Sequence, residues 1–404
     1  MRNLLLRFIP LILVLISGNA IAQKKEVKPL KYGHDVVVGA ERMKEYLSVL
    51  KAKRVALLIN HTSLLGNVNL LDTLLKAGVN VVKVFTPEHG FRGEAEAGAK
   101  VNNSIDSATQ LPIVSLYGDN KKPKAEHLLD VDIVVYDLQD VGVRFYTYIS
   151  TMQYAMEACI ENNKQFLILD RPNPNGHYVD GPVLKPEYKS FVGMQPIPIV
   201  YGMTVGEYAK MLIGEKWLSN ADKLDLKIIT CSNYNHNIQY DLPVRPSPNL
   251  KTMAAIFAYP SICLFEGTVV SVGRGTSTPF QMFGHPDFAG KASYSFRPVP
   301  VWGKPDPLYA FKDCYGQMVV MDKEEAYTLI GRRVRLLWLI RAYGWYPDKK
   351  KFFNPFFEKL VGNGELRKQI ESGMDEYTIR TTWQKDIDAF KKIRKKYLLY
   401  EDFE

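Results

Sequence analysis

"DIVVYDLQDVGVRFYTYISTMQYAMEACIENNKQFLILD", Asp132 to Asp170, decides the fold. Its opening, Asp132 to Leu138, is a short apolar run rich in β-branched residues, which reads as a buried strand. From Thr147 to Lys164 the apolar residues recur every three or four positions, the spacing of a helix. "QFLILD" (Gln165 to Asp170) is again a compact apolar run. A strand, a helix and a second strand in immediate succession make a βαβ unit, whose two strands lie parallel.

The same alternation extends in both directions. Upstream, "RVALLIN" (Arg54 to Asn60), "VNVVKVF" (Val79 to Phe85) and "LPIVSLYG" (Leu111 to Gly118) read as strands, with "NLLDTLLKAG" and "KAEHLLDV" as intervening helices. Downstream, Thr204 and Glu207 stand at capping-box spacing and should open a helix ending near Trp217. "LDLKIITCS" (Leu224 to Ser232) closes the set. The fold class is therefore α/β with a mainly parallel sheet. "DLPVRPSPNL" (Asp241 to Leu250) holds Pro243, Pro246 and Pro248, cannot be regular structure, and marks a domain boundary. It divides an N-terminal domain, 23–250, from a smaller α+β domain, 251–404. The second domain should begin with a helix over "LKTMAAIFAYP", continue with a strand at "TVVSV" and end in helices. The last helix places Trp383, Ile387, Phe390, Ile393 and Tyr397 on one face.

The chain has 404 residues, 46% hydrophobic and 24% charged, an ordinary globular balance. Its net charge of +9 suits an anionic partner, but the basic residues are dispersed, and nucleic acid is not expected as one. The densest run, "KKIRKKY" (Lys391 to Tyr397), reads as a solvated helix face. Arg2 and Arg7, the apolar stretch Phe8 to Ile16 and the Ala20-Ile21-Ala22 site follow the order of a secretory signal. Cleavage near Ala22 would leave an exported protein, periplasmic or secreted, that begins near Gln23. The apolar stretch is too short to span a bilayer, and no later segment is suited to do so. Cys159, Cys231, Cys263 and Cys314 read as buried free thiols or, in an exported chain, as disulfides with three possible pairings.

Parallel α/β sheets bind ligands outside the carboxyl ends of their strands. Every such junction here is polar. The first carries Asn60 and His61; the second, "TPEHGFRGE", carries Glu88, His89, Arg92 and Glu94. The fourth carries Asp137, Gln139, Asp140, Arg144, Tyr146 and Tyr148, and the fifth Arg171 and Asn173. Glu88, braced by Pro87 and followed by Gly90 and Gly93, is the leading acid–base candidate, since a carboxyl shielded from water can deliver a proton near neutrality. His89 either supports Glu88, contacts substrate or is itself the acid. Arg92 either meets substrate or pairs with Glu94 or Glu96. Asp137 and Asp140 suit either sugar chemistry or a metal, but a hard cation needs more oxygen ligands. In the second half, "LFEGTVVSVGRGTSTPF" sets Glu266 before a predicted strand and Arg274 and Thr276 after it, a turn that can cradle an anion. It completes neither G-x-G-x-x-G nor a Walker A loop, so no nucleotide cofactor is expected.

"PEHGFRG" with a following "AG", "DLQDVGVRFYTYISTM", "DRPNPNG", "PSPNL", "EGT", "GRGTSTPF" and the closing "YLLY" occur in one order from about Ala56 to Tyr400. In these the chain resembles the exo-β-N-acetylmuramidase (NamZ-type) glycoside hydrolases. The resemblance implies a Rossmann-like N-terminal domain, a smaller C-terminal domain and an active site in the cleft between them. It implies release of β-1,4-linked N-acetylmuramic acid from non-reducing ends of peptidoglycan, with Glu88 as the catalytic residue and no cofactor. The second group is open among Asp140, Asp137, Glu94, Glu266 and His89. Arg144, Arg171 and Arg274, the last foremost, are candidates for the lactyl carboxylate of the sugar. The rival expectations are a non-catalytic cell-wall sugar-binding protein and a metal-dependent hydrolase of wall polymers.

Overall fold

The computed structural model describes residues 31–33, 35–92, 102–301, 305–330 and 332–404. The signal-like leader, Glu94 and Glu96 lie outside the described residues. The six expected strands form as β1 (Val55–Ile59), β2 (Val81–Thr86), β3 (Pro112–Ser115), β4 (Ile133–Asp137), β5 (Gln165–Leu169) and β6 (Leu226–Ile229). The helices between these strands are α1 (Leu70–Lys76), α2 (Ala125–Leu128), α3 (Tyr148–Glu161) and α4 (Val205–Gly214). The sheet runs β6-β5-β4-β1-β2-β3, all parallel, with the two-residue strand Ser104–Ile105 antiparallel at the β3 edge. This is the doubly wound order, in which the direction of winding reverses between β1 and β4.

The strands are continuous apolar runs because both faces are covered. Ala56, Leu58, Val134, Tyr136, Phe166 and Ile168 join the cluster packed by α3 and α4. Their neighbours Leu57, Ile59, Ile133, Val135, Leu167 and Leu169 join the other cluster, with Leu70, Leu71 and Leu74 of α1. Thr204 caps α4 as its spacing required: its side chain accepts from Glu207 N–H while the Glu207 carboxylate accepts from Thr204 N–H. The helix stops at Gly214 rather than near Trp217. Lys216 turns left-handed (φ 56), and Trp217 N–H and Lys216 N–H close back on Leu212 and Ile213 O, a Schellman ending.

The second domain adds the antiparallel strands β7 (Met282–His285), β8 (Tyr294–Phe296) and β9 (Cys314–Met318), ordered β7-β9-β8. Its helices are α5 (Met253–Ile262), α6 (Lys323–Ile330), α7 (Leu337–Trp345), α8 (Phe357–Val361), α9 (Glu365–Glu371) and α10 (Glu376–Arg394). "TVVSV" is not a strand. Thr268 bridges Phe353 whereas Ser271 bridges Gly284, so the run changes partner before a ladder can form. One apolar cluster continues from the α3/α4 face of the sheet into this domain, through Phe265, Phe283 and Phe357.

On α10, Trp383, Ile387 and Phe390 are buried and Ile393 is only half-buried; the helix ends at Arg394, so Tyr397, also half-buried, lies in the 3-10 turn Lys395–Tyr397 beyond it. Within the basic run, Arg394 is fully buried and paired with Asp402. The tail then returns to the first domain. Tyr400 O–H donates to Asp170 Oδ2 at 2.6 Å, Leu399 N–H to Glu207 Oε1 at 2.8 Å, and Glu401 O accepts from His236 N–H at 3.0 Å. All four cysteines are buried free thiols.

Candidate active site

β2 ends at Thr86, and Pro87 to Gly90 turn sharply there, with Gly90 N–H donating to Pro87 O at 3.1 Å. His89 (φ 73) and Gly90 (φ 72) are both left-handed, a conformation that costs a non-glycine residue strain. The turn directs Glu88 to the start of α3. Thr147 occupies the N-cap position of that 14-residue helix but caps nothing; its Oγ1–H donates to Glu88 Oε2 at 2.8 Å. The carboxyl group is thus buried and oriented at the positive end of a helix.

Glu88 and His89 line a cavity of about 690 Å³. Tyr117, from the junction after β3, and Tyr146 and Tyr148, from the junction after β4, continue the wall. The second domain supplies Glu266, Arg274 and Thr276. Arg274 donates Nε–H to Glu266 Oε1 at 2.7 Å, and its guanidinium lies 5.0 Å above the Phe280 ring. Thr276 Oγ1–H closes its own turn on Gly273 O.

The Pro-rich segment forms part of the site as well as joining the domains. Arg245, Ser247, Asn249 and Lys251 all line the cavity. It is pinned to the sheet edge, because Pro246 O accepts from Tyr146 O–H at 2.8 Å and from Tyr148 O–H at 3.4 Å, and His61 Nε2 meets Arg245 O at 2.8 Å. Lys251 Nζ donates to Thr276 O at 3.0 Å, linking the segment to the second domain. The sequence reading does not single out Tyr117, Arg245, Asn249 or Lys251, although "PSPNL", Pro246 to Leu250, contains Asn249 and adjoins Arg245 and Lys251.

The other sequence candidates that are described do not line the cavity. Asp137 and Arg171 form a fully buried two-point ion pair, Nε–Oδ1 2.5 Å and Nη2–Oδ2 2.9 Å, and burial still raises the Asp137 carboxyl above its ordinary range. Asn60 accepts from Thr62 and donates to Tyr148 Oη at 2.8 Å. Gln139 donates to Asp140 O and Pro172 O. Asn173 packs against Gly142, where a Cβ would come within 2.1 Å of its side chain. Asp140 sits under the site, accepting from Gly142 N–H and Tyr201 O–H; burial pushes its carboxyl up to about 7. Arg144 is fully buried and donates to the carbonyls of Pro182, Ile197, Leu360 and Val361, bracing the two domains. Arg92 is 71% exposed and bonds Asp106 beside the cavity. Glu94 lies outside the described residues. Among the described residues no group of three or more His, Cys, Asp or Glu is placed to hold a metal ion, and no helix is long and apolar enough to cross a membrane.

A doubly wound α/β domain whose strand ends share a carboxylate-lined cleft with a second, α+β domain defines a two-domain cleft protein. Residues 55–254 match the N-terminal model, and residues 257–400 the C-terminal model, of the exo-β-N-acetylmuramidase NamZ. The chain belongs to that family. It is 38% identical to the peptidoglycan β-N-acetylmuramidase NamZ of Bacillus subtilis (strain 168) over 409 residues, covering 95% of this chain and 94% of that protein. Among solved structures, a DUF1343 family protein of Bacteroides fragilis is 49% identical with a TM-score of 0.84, over 91% of this chain and 99% of that one. A second protein of that description from the same organism is 32% identical with a TM-score of 0.71, over the same shares.

Proposed function

We propose that the chain is an exo-β-N-acetylmuramidase, a glycosidase that releases β-1,4-linked N-acetylmuramic acid from the non-reducing ends of peptidoglycan fragments. The observation that carries this reading is the pairing of Glu88 and Glu266 in one cavity, one from each domain. Glycoside hydrolysis commonly uses two carboxyl groups, one to protonate the leaving oxygen and one to act as nucleophile or to activate water. Glu88, fixed by Thr147, serves as the acid–base group, and Glu266, held by Arg274, is the second carboxyl. Of the carboxylates weighed for that role and described, Asp137 and Asp140 are buried and do not line the cavity, so Glu266 is preferred. Arg274 also keeps a cation on the wall, suited to the lactyl carboxylate of muramic acid. Removal of residues 1–22 on export would bring the enzyme to its substrate in cell-wall turnover.

The test is turnover of a chromogenic β-N-acetylmuramide by the protein lacking its leader. Release that Glu88→Gln abolishes and EDTA leaves unchanged supports the reading. Binding without release would instead favour a wall-sugar binder, and loss with EDTA a metal-dependent hydrolase. NMR of the first-formed anomer distinguishes retention from inversion. Arg274→Ala should erase the preference for muramic acid over N-acetylglucosamine; an unchanged preference removes Arg274 from that role.

A further inference from the structure

A second opening lies on the first domain. Gln153 and Glu157 of α3, with Lys189, Trp217, Asn220 and Lys223, surround a cleft of about 520 Å³. The Schellman ending of α4 carries Trp217 off the helix axis, leaving it half-buried at the cleft wall. Lys122 pairs with Glu157 at 3.4 Å and Glu161 at 2.6 Å, which offsets the acidic side of the cleft. Lys189 and Lys223 are exposed beside it.

This cleft and the active-site cavity are neighbours. Lys189 lines the cleft and Phe191 lines the cavity, and two residues of chain span at most about 7 Å. Helix α3 begins at the cavity with Tyr148 and reaches the cleft with its later turns, a run of about 20 Å. An aromatic ridge separates the two. Phe191 stacks on Tyr154 of α3 with centroids 6.1 Å apart and planes within 10°, and Tyr117 lies 6.3 Å from Phe191. Aromatic rings give a pyranose an apolar surface, while the exposed Asn220, Lys189 and Lys223 beside Trp217 answer its hydroxyl, amide and carboxylate groups.

We infer that cavity and cleft are the two ends of one glycan-binding track. The terminal sugar enters the cavity, and the chain crosses the Phe191–Tyr154 ridge to set a later sugar against Trp217. A lactyl or peptide carboxylate on that part of the chain faces Lys189 and Lys223. The inference rests on the muramidase reading and names where the rest of its substrate lies.

The experiment compares Trp217→Ala and the surface double variant Lys189→Ala/Lys223→Ala on two substrates, a chromogenic monomeric muramide and long peptidoglycan glycan strands. On strands KM should rise roughly tenfold for Trp217→Ala, with kcat unchanged and monomer kinetics unaffected. Unchanged KM on strands for both variants, or equal losses on monomer and strands, overturns the track. A binding arm stands apart from turnover: the Glu88→Gln protein is titrated with strands, and its fluorescence is compared with that of the same protein carrying Trp217→Phe. A strand-dependent change that disappears with Trp217 supports the track, and none refutes it. Absence of muramide turnover in the unsubstituted protein would refute the muramidase reading, while this titration still decides the track.

Discussion

Asp137 and Glu88 both follow from parallel strands at the centre of the sheet, and their surroundings differ sharply. Asp137 ends β4 and is sealed against Arg171, with no exposed surface. Glu88 leaves β2 through a strained turn and reaches the cavity. Near Asp137, buried polar groups bond within the protein: Asn60 with Thr62 and Tyr148, the Gln139 amide N–H with two carbonyls, Arg144 with four. Around Glu88, they line an opening shared with a second domain. The doubly wound sheet thus places a rigid polar floor at its switch point and sets the candidate chemistry one strand to the side, above that floor.

Four substitutions can break or sharpen this contrast. Glu88→Gln should have the largest effect, lowering kcat about 10³-fold with the melting temperature nearly unchanged. A comparable loss of stability would make Glu88 part of the floor. Arg171→Met should do the reverse. It strands the buried Asp137 carboxylate, and denaturant unfolding should show a loss of about 3 kcal/mol, while kcat of the folded fraction stays within a few-fold.

Asp140→Asn probes the floor through pH. Burial holds the Asp140 carboxyl at about 7, against its ordinary acidic value in the unfolded chain. Its contribution to stability is therefore complete below about pH 4 and is lost as pH rises to about 7. Asn does not titrate, so the stability of the unsubstituted protein relative to the variant should fall across that window by on the order of 4 kcal/mol, then level off. A flat difference would mean that Asp140 is not a neutral buried acid below pH 7. Thr147→Val should have the smallest effect. Losing the tether to Glu88 should lower kcat roughly tenfold with little change in KM; a change confined to KM would put Thr147 in substrate binding instead.

The strands were legible because burial on both faces writes itself as unbroken apolar runs, as in Val55–Ile59 and Ile133–Asp137. The polar junctions were legible too, and Glu88, His89, Tyr146, Tyr148, Glu266, Arg274 and Thr276 do meet at one cavity. Sequence does not show which way a junction residue turns. Arg144 and Arg274 are the same residue type in Gly-flanked turns, yet one braces carbonyls in the interior and the other stands on the cavity wall. That difference depends on partners: Leu360 and Val361, 216 and 217 residues away, for Arg144, and Glu266, 8 residues back, for Arg274. The role of 245–251 was hidden for a related reason. Proline marks irregular backbone, but two tyrosine hydroxyls and a histidine ring hold that backbone against the sheet.

The returning tail has a consequence for how the protein is made. Asp170 and Glu207 belong to the first domain, yet bonds to both come from Tyr400 and Leu399, which are synthesised 230 and 192 residues later. The first domain therefore cannot complete its own polar interior during synthesis. That interior is finished only when residues 399 and 400 arrive, so their loss acts on α4 and on the end of β5, 192 and 230 positions upstream.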